Sequence, residues 1–187
     1  MREYFGTLAS LAAGADASIG DSVRRAAALV ADAALSGRTT LVFGNGGSAT
    51  QAQHFAAELV VRYEKDRRAL PGLALAADVS LLTACANDFD FSEVFARQIE
   101  ALGRAGDVAV GLSTSGTSPN VLKALAAARD RKLSTILMTG ERGREEAARW
   151  DVGLVVPTLV TAHVQELHLA AIHLICRHVD DELARRG

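Results

Sequence analysis

The 187-residue sequence predicts an α/β fold, doubly wound around a parallel sheet, on three observations. Short apolar and β-branched runs alternate with segments of helical spacing. Two of those runs lead directly into loops rich in glycine or hydroxyl side chains that open helices. No stretch rich in Pro, Gly and Ser divides the chain, which at this length buries roughly 70% of its unfolded surface as one domain. Continuous apolar strands separated by helices run parallel with both faces covered, because parallel neighbours need crossovers and these are nearly always right-handed.

The elements follow in order. Residues 18–36 carry Val23, Ala26, Ala27, Leu29, Val30, Ala33 and Leu35 at helical spacing, and Gly37 marks the stop. Residues 39–43 read as a buried strand running into Gly44-Asn45-Gly46-Gly47-Ser48, after which helical spacing returns over 48–63. Residues 73–75 form a weak strand signal. Residues 107–112 form a clear one, leading through Ser113-Thr114-Ser115-Gly116-Thr117-Ser118-Pro119 into a helix over about 120–131. Two further strands are expected at 135–138 and 152–156, with a charged segment between them that can hold a short helix. The last helix, 161–184, has almost no polar face in its middle and must be buried on several sides. We expect it to pack against another subunit together with the N-terminal helices of residues 1–36, the whole of 1–187 being one domain.

Hydrophobic residues make up 49% and charged residues 22%, and the formal net charge is −2. That balance excludes disorder and offers no field to draw in a nucleic-acid backbone. No run approaches the roughly 18 apolar residues of a membrane span, and Leu8–Ala13 is too short for a secretory core. Cys85 and Cys176 lack metal-finger spacing and read as buried thiols. A cytosolic protein without nucleic-acid or membrane partners is expected.

Three patterns point to chemistry. The hydroxyls of residues 113–118 stand at a helix start, where unpaired N–H groups and the helix dipole favour an anion. An ordinary turn with Ser118 as cap and Pro119 at the first helical position uses one hydroxyl, not five, so the phosphate cradle is preferred. No GKS or GKT follows either loop and the glycines miss the dinucleotide spacing, so a sugar phosphate suits the loop better than ATP or NAD. On the helix after the glycine loop, His54 and Glu58 share a face. An acid/base pair, a metal-ligand pair and a plain i,i+4 contact all remain open there. His163, His168, His173 and His178 are spaced by five residues, so they spread around a helix and cannot form one metal cluster. Spacing does not say which of them matters.

Taken together, Gly44-Asn45-Gly46-Gly47-Ser48, Gln53-His54-Phe55-Ala56-Ala57-Glu58-Leu59, Asn87-Asp88, Ser113-Thr114-Ser115-Gly116 with Ser118, and Val164-Gln165-Glu166-Leu167-His168 followed by His173 resemble the phosphoheptose isomerases, which are sugar isomerase (SIS) domain proteins. The resemblance spans residues 20–180. It implies a flavodoxin-like SIS fold with extra N- and C-terminal helices, assembled as a homotetramer with sites between subunits. The implied reaction converts sedoheptulose 7-phosphate to D-glycero-D-manno-heptose 7-phosphate. It also implies Glu58 and His173 as the acid/base pair, Ser48, Ser113, Thr114, Ser115 and Ser118 as phosphate contacts, Asp88 and Gln165 as sugar contacts, and Asn45 and Gly46 as further substrate contacts. In some members a zinc ion is held by the residues matching His54, Glu58, Gln165 and His173, which implies one Zn²⁺ per subunit. The chain departs from the family at Val160-Thr161-Ala162-His163, where an Asp-Thr-Pro/Ala-Arg stretch is usual, and Thr117 replaces a usual Asn. The first change leaves another sugar phosphate open as substrate. A non-catalytic SIS assembly factor, resembling the DnaA initiator-associating proteins, is the alternative from another class; those tend to lack the acid/base pair.

Overall fold

The computed structural model describes residues 1–186 and contains a five-stranded, fully parallel sheet in the order β2-β1-β3-β4-β5. The strands are β1 (Thr40–Gly44), β2 (Gly72–Ala74), β3 (Val108–Ser113), β4 (Ser134–Gly140) and β5 (Val152–Val156). The helices are α1 (Arg2–Ala13), α2 (Ala15–Leu35), α3 (Gly47–Val60), α4 (Val79–Asp88), α5 (Ala96–Leu102), α6 (Pro119–Asp130), α7 (Arg144–Ala147) and α8 (Thr161–Arg186). Thr40 lies opposite Gly72 on one side and Val108 on the other, and Val108 lies opposite Ser134. The carboxyl ends of the strands therefore share one edge.

Alternation along each strand divides the interior into two cores. Val42, Val110, Leu112, Ile136, Met138 and Leu154 pack with α2, α3 and α8. Leu41, Phe43, Ala109 and Leu137 face the other way, against residues of α5 and α6 such as Ile99, Val121 and Leu125. Side chains of successive strand residues point to opposite faces, so a run with no polar member must be covered on both. This is the doubly wound α/β sandwich that the apolar runs predict.

Local signals account for the ends. Gly37 takes φ +67° after α2; its N–H donates to Ala34 O at 3.2 Å and that of Arg38 to Ala33 O at 2.8 Å, a paired C-terminal closure. Pro119 opens α6, where its missing N–H costs nothing. Three differences from the sequence reading stand out. The helix expected over 48–63 ends at Val60, and the chain between β2 and β3 holds α4 and α5, which periodicity did not announce. α4 buries only Cys85 and rests on its cap, Asp78 accepting from the N–H of Leu81 at 3.0 Å. The helix read over 18–36 begins earlier, at Ala15, and the separate leading helix α1 has no fully buried residue, Leu8 and Leu11 packing only partly against the core.

Both cysteines are free and buried, and burial pushes the Cys176 thiol well above its usual range. α8 is covered by α2 and the sheet along most of its length, yet Leu174 stays 49% exposed. No helix among the described residues is long and apolar enough to cross a membrane.

Candidate active site

With the order 2-1-3-4-5, β1 and β3 are neighbours whose following helices leave on opposite faces, and the crevice of an open α/β sheet lies at that reversal. Both loops singled out in the sequence start there. Asn45, after β1, and Asn120, in the first turn of α6, exchange two amide hydrogen bonds of 2.9 and 2.8 Å. This reciprocal pair fixes the loops relative to each other. Ser118 occupies the N-cap of α6 but makes no capping bond with its side chain. Its hydroxyl instead meets that of Ser113 at 2.9 Å, while the Ser115 and Thr117 hydroxyls are paired at 3.0 Å. Thr114 O accepts from the N–H of Gly140 at 3.1 Å, holding the loop to β4. The result is a cluster of hydroxyls at the positive end of α6, with Ser48 buried at the start of α3.

Gln165, from the first turns of α8, comes to the same edge. Its carbonyl accepts from Gln51 Nε2 at 2.6 Å, and its amide lies 2.6 Å from where a Cβ on residue 47 would stand. Gln165 thus packs on the glycine loop.

A second cluster lies further along α3. His54 Nε2 is 3.0 Å from His173 Nε2 of α8 and 3.4 Å from Glu58 Oε1 one turn away. The rings of Tyr63 and His173 stack at 5.5 Å with 21° between their planes. The i,i+4 contact left open in the sequence is present, and His54 links Glu58 to a histidine 119 positions distant. A carboxylate and an imidazole on neighbouring elements can take a proton from one atom and return it to the next. As placed, these side chains do not make a cage of three or more His, Cys, Asp or Glu ligands among the described residues. Two imidazoles and a carboxylate are nitrogen and oxygen donors of the kind zinc takes. Tetrahedral zinc with bonds of about 2.0–2.1 Å has ligand-to-ligand edges of about 3.3 Å, close to both separations around His54.

The remaining expected residues go elsewhere. Asp88 is exposed, accepts from Asn87 Nδ2 at 2.8 Å, and lines a separate cavity of about 410 Å³ with Phe89 and Arg97. The four histidines of α8 serve four surroundings, as their spacing requires. His163 is buried with Nδ1 at 2.8 Å from Glu166, which also accepts from the Tyr4 hydroxyl at 2.6 Å. These two bonds, Tyr4 foremost, hold the Glu166 carboxyl below the usual carboxylate range. His168 is fully buried with Nε2 against Thr139 O at 3.3 Å, His173 meets His54, and His178 lies in a groove between α2 and α8. Sequence reasoning missed Tyr63 and Asn120, whose roles depend on long-range neighbours that no local spacing encodes.

A family model described as SIS domain matches residues 3–140. A phosphoheptose isomerase from Paramagnetospirillum magneticum is 51% identical over 164 residues, 88% of this chain and 85% of that protein. The chain belongs to the phosphoheptose isomerase family. Among solved structures, the phosphoheptose isomerase from Neisseria gonorrhoeae is 41% identical and superposes with a TM-score of 0.90, covering 96% of each chain. That from Francisella tularensis is 33% identical, with a TM-score of 0.91 over 96% of this chain and 95% of the other. The similarity to solved phosphoheptose isomerases thus runs over nearly the whole chain.

Proposed function

We propose that the chain isomerises sedoheptulose 7-phosphate to D-glycero-D-manno-heptose 7-phosphate, an aldose–ketose interconversion. The observation that carries this reading is the meeting of Glu58 and His173 around His54, in a chain of this family that also carries the hydroxyl cradle. Moving the carbonyl from C2 to C1 removes a proton from C1, passes through an enediol, and returns a proton to C2 as the hydroxyl proton moves between the oxygens. Glu58 and His173 divide that work, each step of general acid or base catalysis contributing about 10²–10⁴ in rate. Ser113, Thr114, Ser115, Ser118 and Ser48 hold the phosphate end, with Asn45 and Gly46 as further substrate contacts. Binding energy there orients the reacting carbons, to which Gln165 contributes from α8. Where zinc is bound, His54, Glu58, His173 and Gln165 are the residues that hold it, one ion per subunit, and its chemistry is polarisation of the carbonyl and hydroxyl oxygens.

Asp88 stands apart from both clusters within one chain. We assign its sugar contact to a neighbouring subunit's site, in a homotetramer whose interfaces use the exposed side chains of α1 and Leu174. A cytosolic setting is supported by the two free thiols. The burial of His163 against Glu166, where the family carries Arg, favours testing C5 and C6 ketose phosphates beside the C7 compound. Turnover of sedoheptulose 7-phosphate by the purified protein is the decisive assay. Glu58→Gln and His173→Gln are expected to lower kcat by at least about 10²-fold while sugar-phosphate binding, followed calorimetrically, persists. Near-normal turnover in either variant removes the assignment. No turnover by the unaltered protein, combined with recovery of the replication initiator in a pull-down, would favour the assembly-factor reading.

A further inference from the structure

Beyond the turn that ends α3, a buried ion pair joins the two helices of the acid/base cluster. Arg67 Nε donates to Asp180 Oδ1 at 2.7 Å, with side chains 6% and 1% exposed. The rest of the guanidinium does not face solvent. Its two terminal nitrogens donate to Glu58 O at 2.6 Å and Leu59 O at 2.8 Å, carbonyls in the last turn of α3 that have no partner further along the helix. The other Asp180 oxygen accepts from the N–H groups of Glu64 and Lys65 at 3.0 and 3.1 Å. Asp180 therefore holds both ends of the segment between Tyr63 and Arg67.

The placement of this pair matters more than its burial. A buried ion pair is by itself weak evidence of stabilisation, since desolvation opposes the attraction. Here, however, the guanidinium grips the peptide of Glu58 itself, and Asp180 lies seven residues after His173, two turns along nearly the same face of α8. The backbone segment anchored by Asp180 begins immediately after Tyr63, whose ring stacks on His173. One clamp thus sets three things: the position of the Glu58 backbone, the offset of α3 against α8, and the aromatic surface behind the His173 imidazole. Placement at that level is where rate is gained or lost, because a misplacement of about 1 Å can cost about 10²-fold.

We infer that Arg67 and Asp180 are positioning residues, a clamp that holds Glu58 in reacting register with His173. The inference rests on the isomerase reading of those two residues. Neither clamp residue touches the phosphate cradle, which is built from the β1 and β3 loops. The effect therefore falls on kcat.

Two variants test this. Arg67→Lys keeps both charges but loses the planar fork that reaches the Glu58 and Leu59 carbonyls, and Asp180→Asn keeps the shape but loses the charge. Per folded molecule, kcat for sedoheptulose 7-phosphate is expected to fall at least about tenfold in each, with KM held within about threefold. A crystal structure of Arg67→Lys is expected to show the Glu58 carboxylate displaced from His173 by more than about 0.5 Å. If Asp180→Asn does not fold, Arg67→Lys carries the test alone. The clamp is overturned if kcat per folded molecule stays within about twofold of the unaltered protein, or if lost activity only tracks lost folded protein. Should the unaltered protein turn over no ketose phosphate, the isomerase reading fails on its own. The crystal structure then decides separately, since an unmoved Glu58 sinks the clamp and a displaced one upholds it.

Discussion

His168 shows at the level of one residue what burial does to a titrating group. Its ring has no exposure, Nε2 faces Thr139 O, and Nδ1 has no partner among the described residues. Desolvation pushes its pKa down to about 4 from an ordinary 6.5, the carbonyl contact opposing only part of that. The unfolded chain then binds a proton between pH 6.5 and 4 that the folded one refuses. Stability from this group is complete above pH 6.5 and falls as pH drops through that window, by up to about 3 kcal/mol at its lower end. Urea unfolding from pH 7 to pH 4.5 is expected to show that decline, and His168→Leu is expected to flatten it. An equally steep decline in His168→Leu would place the titration elsewhere. The five-residue step of the histidines already told that they part company around the helix, and they do. It did not tell that His173, and not its neighbours, would face His54, because that pairing is made by the packing of α3 on α8 across 119 residues. Asp180 and Arg67 were invisible for the same reason: read locally, they are two charges in charged stretches.

Loops and helices carry the next layer. The switch-point loop after β3 was legible because five hydroxyls and a glycine crowd into the six residues 113–118, just before a helix that opens on Pro119, a composition that few other uses require. The glycine is the constrained member. Gly116 takes φ +70°, which side chains with a Cβ rarely adopt, and a Cβ there would run into the Cα of Gly143 and come within 3.0 Å of Thr139 Oγ1. Gly116→Ala must therefore shift the backbone between Ser115 and Ser118. Its expected signature is a destabilisation of about 1–3 kcal/mol in thermal melts and a KM for sugar phosphate raised by about tenfold or more, with Glu58 and His173 undisturbed. Unchanged KM would show that the loop does not hold the phosphate. α4 and α5 were not legible, and the reason is physical. α4 buries only one residue along its ten and α5 spans only seven, so neither writes a clear apolar stripe into the sequence.

At the scale of the whole molecule, one chain leaves apolar side chains exposed along its terminal helices. α1 has no fully buried residue, Phe5 is 61% exposed, and α2 and α8 flank a groove of about 320 Å³ lined by Ile19, Val23, Leu167, Ala170 and Leu174. The continuous apolar character of α8, read from sequence as a sign of burial on several sides, is met within the chain on all but this stripe. Contiguous patches of that kind mark contact surfaces. If the stripe is the seam of the proposed tetramer, a charge placed in it must be desolvated without a partner, which costs several kcal/mol per interface and acts at every copy of the contact. Leu174→Asp is therefore expected to sediment as a smaller species than the unaltered protein while retaining its circular-dichroism spectrum. Because Asp88 reaches the other clusters only through a neighbouring subunit in this arrangement, turnover is expected to fall with the loss of assembly and to recover in part at high protein concentration. An unaltered protein that sediments as a monomer at micromolar concentration would remove the seam. A Leu174→Asp protein that assembles and turns over normally would move the interface to the other exposed apolar face, around Val79, Phe89 and Phe91.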